Sequence, residues 1–300
     1  MAAIPAIVLV WIFGAVSFTF HERSAAGMPD TVLVEESTIG SFHHATRLAI
    51  SPQGSLYIVD EAGNSLVVID GKTAKVTTIG GYGWTSGTFD RPSSVSTDGL
   101  NVYVADEANH RIQRFDRNLN FISSFSTRDT SYVSARFGFP AGAALSRQGD
   151  LFILDTENQR VVKFNSRSQF ERSFGGIDQE RGRIRQPVKI VVSPSDRVFV
   201  LEPDRVLEFD YVGNHIRTVG EGVLRGAVGM DITDNTLLVA AADTLYWFTH
   251  SGQLGHVTPV RFILTSLPLA PVQDVAVTRD RFYILGRERV HVFRMMGEGR

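Results

Sequence analysis

The chain of 300 residues contains no cysteine, which removes disulfides, thiolate metal sites, cysteine nucleophiles and lipid attachment through cysteine together. It also lacks a charge surplus. Thirty Lys and Arg stand against 32 Asp and Glu, a net of −2, so the global field points neither to nucleic acid nor to acidic lipid. Orthodox catalytic signatures are missing too. There is no Gly-x-Ser-x-Gly elbow and no His-Glu-x-x-His pair. Gly71-Lys72-Thr73 ends like a phosphate loop, but Leu66 stands where the first glycine must be. Gly81 to Gly87 misses the dinucleotide fingerprint, with Ser86 for the third glycine and no helix after it; it reads as a linker. What is present is ordinary for a folded chain: 43 % hydrophobic and 21 % charged residues exclude a disordered one.

Charge is absent in one place above all. From Ala2 to Phe20 no residue is charged, and Ile4, Ile7, Val8, Leu9, Val10, Trp11, Ile12, Phe13 and Val16 make the run strongly apolar. Such a run is read as targeting before it is read as fold. Residues 1–29 are therefore expected to form a signal peptide or membrane anchor, ahead of a domain at 30–300. Ser24-Ala25-Ala26 offers small residues for cleavage, but no Lys or Arg precedes the apolar stretch. An uncleaved anchor stays open, since the run is near the minimum of about 17 to 20 residues for a span. A buried strand or helix is the third reading. The expected location is exported, periplasmic or extracellular, or membrane-anchored through residues 2–20, the membrane being touched only there.

After residue 40 the sequence repeats. Tyr57-Ile-Val-Asp60-Glu-Ala-Gly-Asn64, Tyr103-Val-Ala-Asp106-Glu-Ala-Asn109-His-Arg111-Ile-Gln-Arg-Phe-Asp116 and Phe152-Ile-Leu-Asp155-Thr-Glu-Asn158-Gln-Arg160 align directly. Weaker copies start at Phe199, Leu238 and Tyr283, which makes six. Each copy reads strand, short polar turn, strand, and further strands flank it on both sides. Helical periodicity is absent throughout. Short antiparallel strands repeated radially in units of four predict an all-β, six-bladed β-propeller. The sixth copy stops near Met296 without a fourth strand, while residues 31–40 (Leu33 to Gly40) carry that pattern before the first blade. They are expected to complete the last blade and close the ring.

The stretch at 103–116 resembles the NHL repeat almost residue for residue. The resemblance is close over residues 42 to 210 and holds by register alone over 227–296. It implies the propeller fold and leaves function open. Similar proteins include binding scaffolds, RNA-binding domains and metal-dependent lyases of the peptidylglycine type, and related six-bladed propellers include lactonases. Fold does not choose among them.

The repeated acid and Arg (Asp60, Asp106 with Arg111, Asp155 with Arg160, Glu202 with Arg205) recur in successive blades. They are expected to lock hairpins through charge-assisted hydrogen bonds rather than to catalyse. Counting from Ala45, Pro92, Pro140, Pro187, Ala227 and Pro271 sets the innermost strands. Strand parity then packs Leu48, Val95, Ala143, Ile190, Met230 and Asp274 between blades. It turns Arg47, Ser94, Gly142, Lys189, Gly229 and Gln273, with Asp231 one layer deeper, into the central channel. Arg47 and Lys189 replace the glycine usual in the resembled family and face each other across a six-fold ring. They suggest an electropositive mouth for a small anion, with Ser94 and Gln273 as donors; side chains that merely fill and solvate the pore are the plainer alternative. A metal set of His43, His44, Asp231 and Asp274 is a further option, set against histidines in a surface loop.

The expected function is a non-enzymatic propeller scaffold, exported or tethered, that binds an unknown protein or small anionic ligand through its loop face and channel mouth. No cofactor is implied and no DNA. A metal-dependent lyase or lactonase is the alternative. Recognition of RNA or protein inside the cell comes third, since Arg128, Arg136, Arg181, Arg183 and Arg185 are offset by Glu61, Glu107, Glu157 and Asp204.

Overall fold

The computed structural model describes residues 8–12, 15–19, 32–233, 236–263 and 265–296. Six four-stranded antiparallel sheets follow one another along the chain as blades. Blade two shows why. Pro92–Thr97 is its innermost strand, Asn101–Asp106 and Arg111–Asp116 flank the motif turn, and Phe121–Phe125 is outermost. Both faces of each blade lie against neighbours, so the middle strands are apolar on both parities. Leu56–Asp60 and Ser65–Ile69 of blade one are buried at every position, while four residues of the outer Val76–Gly80 are exposed. The core is accordingly a ring of inter-blade clusters. Tyr57, Val59, Leu66, Phe89, Val104 and Phe115 fill one, and Leu238, Val275, Phe282 and Phe293 another.

Closure is made as the sequence predicts. Val32–Ile39 pairs antiparallel with Val290–Met296, from Ile39 opposite Val290 to Val32 opposite Met296. Two consecutive side chains anchor the clasp: Glu36 takes Arg281 at 2.8 Å and Arg294 at 2.5 Å, and Glu35 lies 2.8 Å from Nδ1 of buried His291. This pairing removes two open strand edges at once.

The repeated carboxylate is structural, and it does more than lock a hairpin. Asp106 is fully buried. It accepts from Arg111 Nε at 2.7 Å, from the Asn109 amide at 3.0 Å, from Gln113 at 3.1 Å and from the backbone N–H of Asp90 at 2.8 Å. Asp60 likewise takes the N–H groups of His43 and His44, Asp155 that of Gly138, and Glu202 those of Arg185 and Gln186. Each acid thus fixes the loop that leads into its own blade. Blades five and six have Ala241 and Gly286 at this place.

Of the N-terminal segment, Val8–Ile12 and Ala15–Thr19 pair as an antiparallel hairpin. The expected cleavage region at Ser24 to Ala26 lies outside the described residues. Among those described, no helix is long and apolar enough to cross a membrane.

Replacing Asp106 by Ala leaves four donors unmatched in a buried site. Stability should fall by about 3 to 5 kcal/mol, read from urea unfolding. A loss below about 1 kcal/mol would contradict the locking role.

Candidate functional site

The innermost strands are Ala45–Ile50, Pro92–Thr97, Pro140–Leu145, Lys189–Val192, Ala227–Ile232 and Val272–Val277. In blades one, two, three and five, the residues just past a register shift at the strand start are Arg47, Ser94, Gly142 and Gly229, and in blade four the strand itself begins at Lys189, as expected. Blade six departs from the predicted register by one. Val272, not Pro271, stands opposite Gly286 where Ala45 stands opposite Asp60. Asp274 therefore takes the channel position and Val275 the apolar inter-blade one, where it is fully buried. Gln273 reaches only the Pro271 carbonyl, at 3.5 Å.

This shift brings together what the sequence kept apart. Lys189 Nζ lies 2.7 Å from both carboxylate oxygens of Asp274, a pair joining blade four to blade six past blade five. Asp274 has no solvent exposure. Its Oδ2 also accepts the Leu48 N–H of blade one at 3.0 Å. The crossing depends on Gly229, where a Cβ would stand 2.4 Å from Asp274 Oδ1. Arg47 does face blade four. Its guanidinium donates to the carbonyl of Val188 at 3.2 Å and to that of Thr46 at 2.8 Å. Of the two cations expected at the mouth, Lys189 is neutralised by Asp274 and Arg47 is held by carbonyls.

Beyond this layer the bore widens into a cavity of about 740 Å³ whose rim is formed by Ser51, Asp98, Arg147 and Pro194, at the turns after the innermost strands. Asp231 is in its wall. One carboxylate oxygen accepts the Ile232 N–H at 2.9 Å and the other the Val277 N–H at 2.8 Å. Part of Asp231 faces the cavity, yet protein surrounds it, and burial pushes its carboxyl up to about 6. The Lys189 ammonium and the two amides oppose that shift, and the Asp274 charge adds to it.

The suggested metal residues do not converge. His43 is exposed with Nδ1 3.4 Å from Asp60, His44 lies 3.9 Å from Glu61, Asp274 holds Lys189, and Asp231 accepts backbone amides. Among the described residues, no group of three or more His, Asp or Glu side chains is placed to hold a metal ion.

The opposite face, built from inter-blade loops and motif turns, carries a feature the sequence reading passed over as linker. Tyr82 and Trp84 are 70 % and 73 % exposed. Their loop is held by blade two's own motif: Asn109 donates to the Gly83 carbonyl at 2.9 Å, Arg111 to those of Trp84 (2.7 Å), Thr85 and Thr88 (3.0 Å each), and Gln113 to Thr88 at 2.7 Å. On the next loop, exposed Tyr132 stacks edge-on against Phe170 with centroids 5.2 Å apart. Two large aromatics in a glycine-rich linker, outside any strand pattern, were the available signal.

Asp231 gives a pH signature. An ordinary Asp titrates near 3.9, so between about 4 and 6 the folded protein holds a proton that the unfolded chain has released. Stability should fall as pH rises through that window. The Asp231→Asn variant should lose this slope, and it should also lose one of the two backbone hydrogen bonds, because an amide nitrogen does not accept. Denaturant titrations of both proteins at pH 4, 6 and 7.5 read the slope, and an unchanged slope would contradict the assignment.

Comparison with known proteins agrees with the fold. A family model described as NHL repeat matches residues 89–115 and 137–164. The chain is 30 % identical over 146 residues to "Protein brain tumor" of Drosophila melanogaster, covering 47 % of this chain and 13 % of that protein. It is 30 % identical over 140 residues to "B-box type zinc finger protein ncl-1" of Caenorhabditis elegans, covering 45 % and 16 %. It therefore spans less than a fifth of the length of these relatives. Among solved structures, a virginiamycin B lyase from Staphylococcus aureus superposes with TM-score 0.63 at 10 % identity, covering 87 % of this chain and 99 % of that one. A gluconolactonase from Xanthomonas campestris gives 0.64 at 14 % identity, covering 93 % and 95 %. At such identities the likeness carries the fold alone. Six antiparallel blades, the motif carboxylates and the matched repeats together make this chain an NHL-repeat six-bladed β-propeller.

Proposed function

We propose that the propeller is a non-enzymatic recognition scaffold that binds a partner polypeptide across its inter-blade loop face, centred on Tyr82 and Trp84. The observation that carries this reading is their combination of exposure and rigidity. Aromatics of this size dominate binding energy where they are anchors. A loop already fixed by five side-chain bonds to its carbonyls loses little further entropy on binding. Arg47 and Ser94, at the loop-side end of the bore, border the same face. The uncharged apolar run from Ala2 to Phe20 supports export or tethering, which would present this face outside the cytoplasm.

Affinity capture with three baits tests the reading. The unaltered chain should retain a partner that the Tyr82→Ala, Trp84→Ala variant loses by about 30-fold or more. A Val76→Thr control on an outer strand should keep it. Retention by the aromatic variant, or equal loss with the control, would contradict the proposal. Cell fractionation that finds the chain in the soluble cytoplasm would remove the export component.

A further inference from the structure

The bore below the Lys189–Asp274 layer has the attributes of a small-molecule site. Its volume of about 740 Å³ lies within the usual range, and its lining mixes aliphatic side chains with serine and threonine residues. The walls include Ala49, Ala144, Val191 and Ala276, and the charged side chains at depth are Lys189 and Asp231. Lys189 is saturated by Asp274 at 2.7 Å. The three groups together carry one uncompensated negative charge, which resides on Asp231. No cationic side chain bonds it: its hydrogen-bond donors are the amides of Ile232 and Val277, and each oxygen keeps acceptor capacity. On blade two, across the ring from blade five, the Ser96 hydroxyl is buried and has no partner. Ser96 is in the wall of the same cavity, with its hydroxyl oxygen turned away from the open space.

We propose that the bore, entered from the face of the first-strand turns, binds a small organic cation whose primary amine pairs with Asp231. The chemistry favours an amine over an anion because Asp274 already cancels Lys189. It favours an amine over a metal ion because a single free carboxylate supplies too few anionic oxygen ligands. The aliphatic side chains of the wall take the ligand's hydrocarbon body. The site faces away from Tyr82 and Trp84, so it stands or falls independently of the recognition reading.

The charge of Asp231 sets the pH dependence. Lys189 from blade four and Asp274 from blade six are the charged groups that act on it, with Asp98 and Arg147 at the rim. With its carboxyl raised to about 6, Asp231 is ionised at pH 7.5 and mostly protonated at pH 5.

Isothermal titration calorimetry on the full chain, with n-hexylammonium chloride and sodium hexanoate at equal ionic strength, decides the matter. At pH 7.5 hexylammonium should bind about tenfold more tightly than hexanoate, the order expected of a hydrogen bond to a charged group. That preference should vanish in Asp231→Asn and, on the unaltered chain, at pH 5. Ser96→Leu, which fills the bore without altering charge, should weaken the amine. Equal or tighter hexanoate binding, no binding of either ion, a preference that survives Asp231→Asn or pH 5, or an amine indifferent to Ser96→Leu would each overturn the proposal.

Discussion

The pair between Lys189 and Asp274, 2.7 Å apart and buried, joins two blades that are not neighbours. Removing two charges from water is costly, and the attraction repays it only where the remaining hydrogen-bonding capacity is used. Here Asp274 also accepts the Leu48 N–H, so one carboxylate ties blades four, six and one. Three features follow. Blade six takes the register that puts Asp274 in the channel and Val275 in the core. Blade five needs glycine at 229 so that the carboxylate can pass. The bore below is left with the charge of Asp231 alone.

Around this centre the ring is held in a graded way. Blades one to four carry an acid that binds the loop leading into the blade, and in blade two the same motif fixes the loop bearing Tyr82 and Trp84. Blades five and six lack the acid and hold their loops by backbone bonds, Ala227 N–H to Pro203 and Val272 N–H to Ala242. Their positions are secured from elsewhere: from the bore through Asp274, and from outside by the clasp of Val32–Ile39 on Val290–Met296. Structural acids and a recognition loop are thus parts of one device, since the bonds that stabilise the blade also make the surface rigid.

The fold was legible because each blade repeats one local pattern, and the clasp because residues 31–40 match a strand that the last blade lacks. The channel was legible in five blades and not in the sixth. Pro271 aligns in sequence with Pro92 and Pro140, yet it precedes the strand by one residue, and a slip of one exchanges the two faces. The warning was physical: that register left Asp274 as a lone carboxylate among Leu48, Val95, Ala143, Ile190 and Met230. Its partnership with Lys189 spans 85 residues, beyond any local pattern. The exposure of Tyr82 and Trp84 is equally non-local, because it depends on bonds from Asn109, Arg111 and Gln113, about 25 residues downstream.

The most direct test of this account is a double-mutant cycle on Lys189 and Asp274, with unfolding free energies measured for Lys189→Met, Asp274→Leu and the double variant. Each single change leaves a buried charge unpaired and should cost about 3 to 5 kcal/mol. The double variant should be less destabilised than the sum of the singles by about 2 kcal/mol or more. Additive effects would mean that the two side chains do not meet across the bore, and the register of blade six and the charge of the cavity would both have to be redrawn.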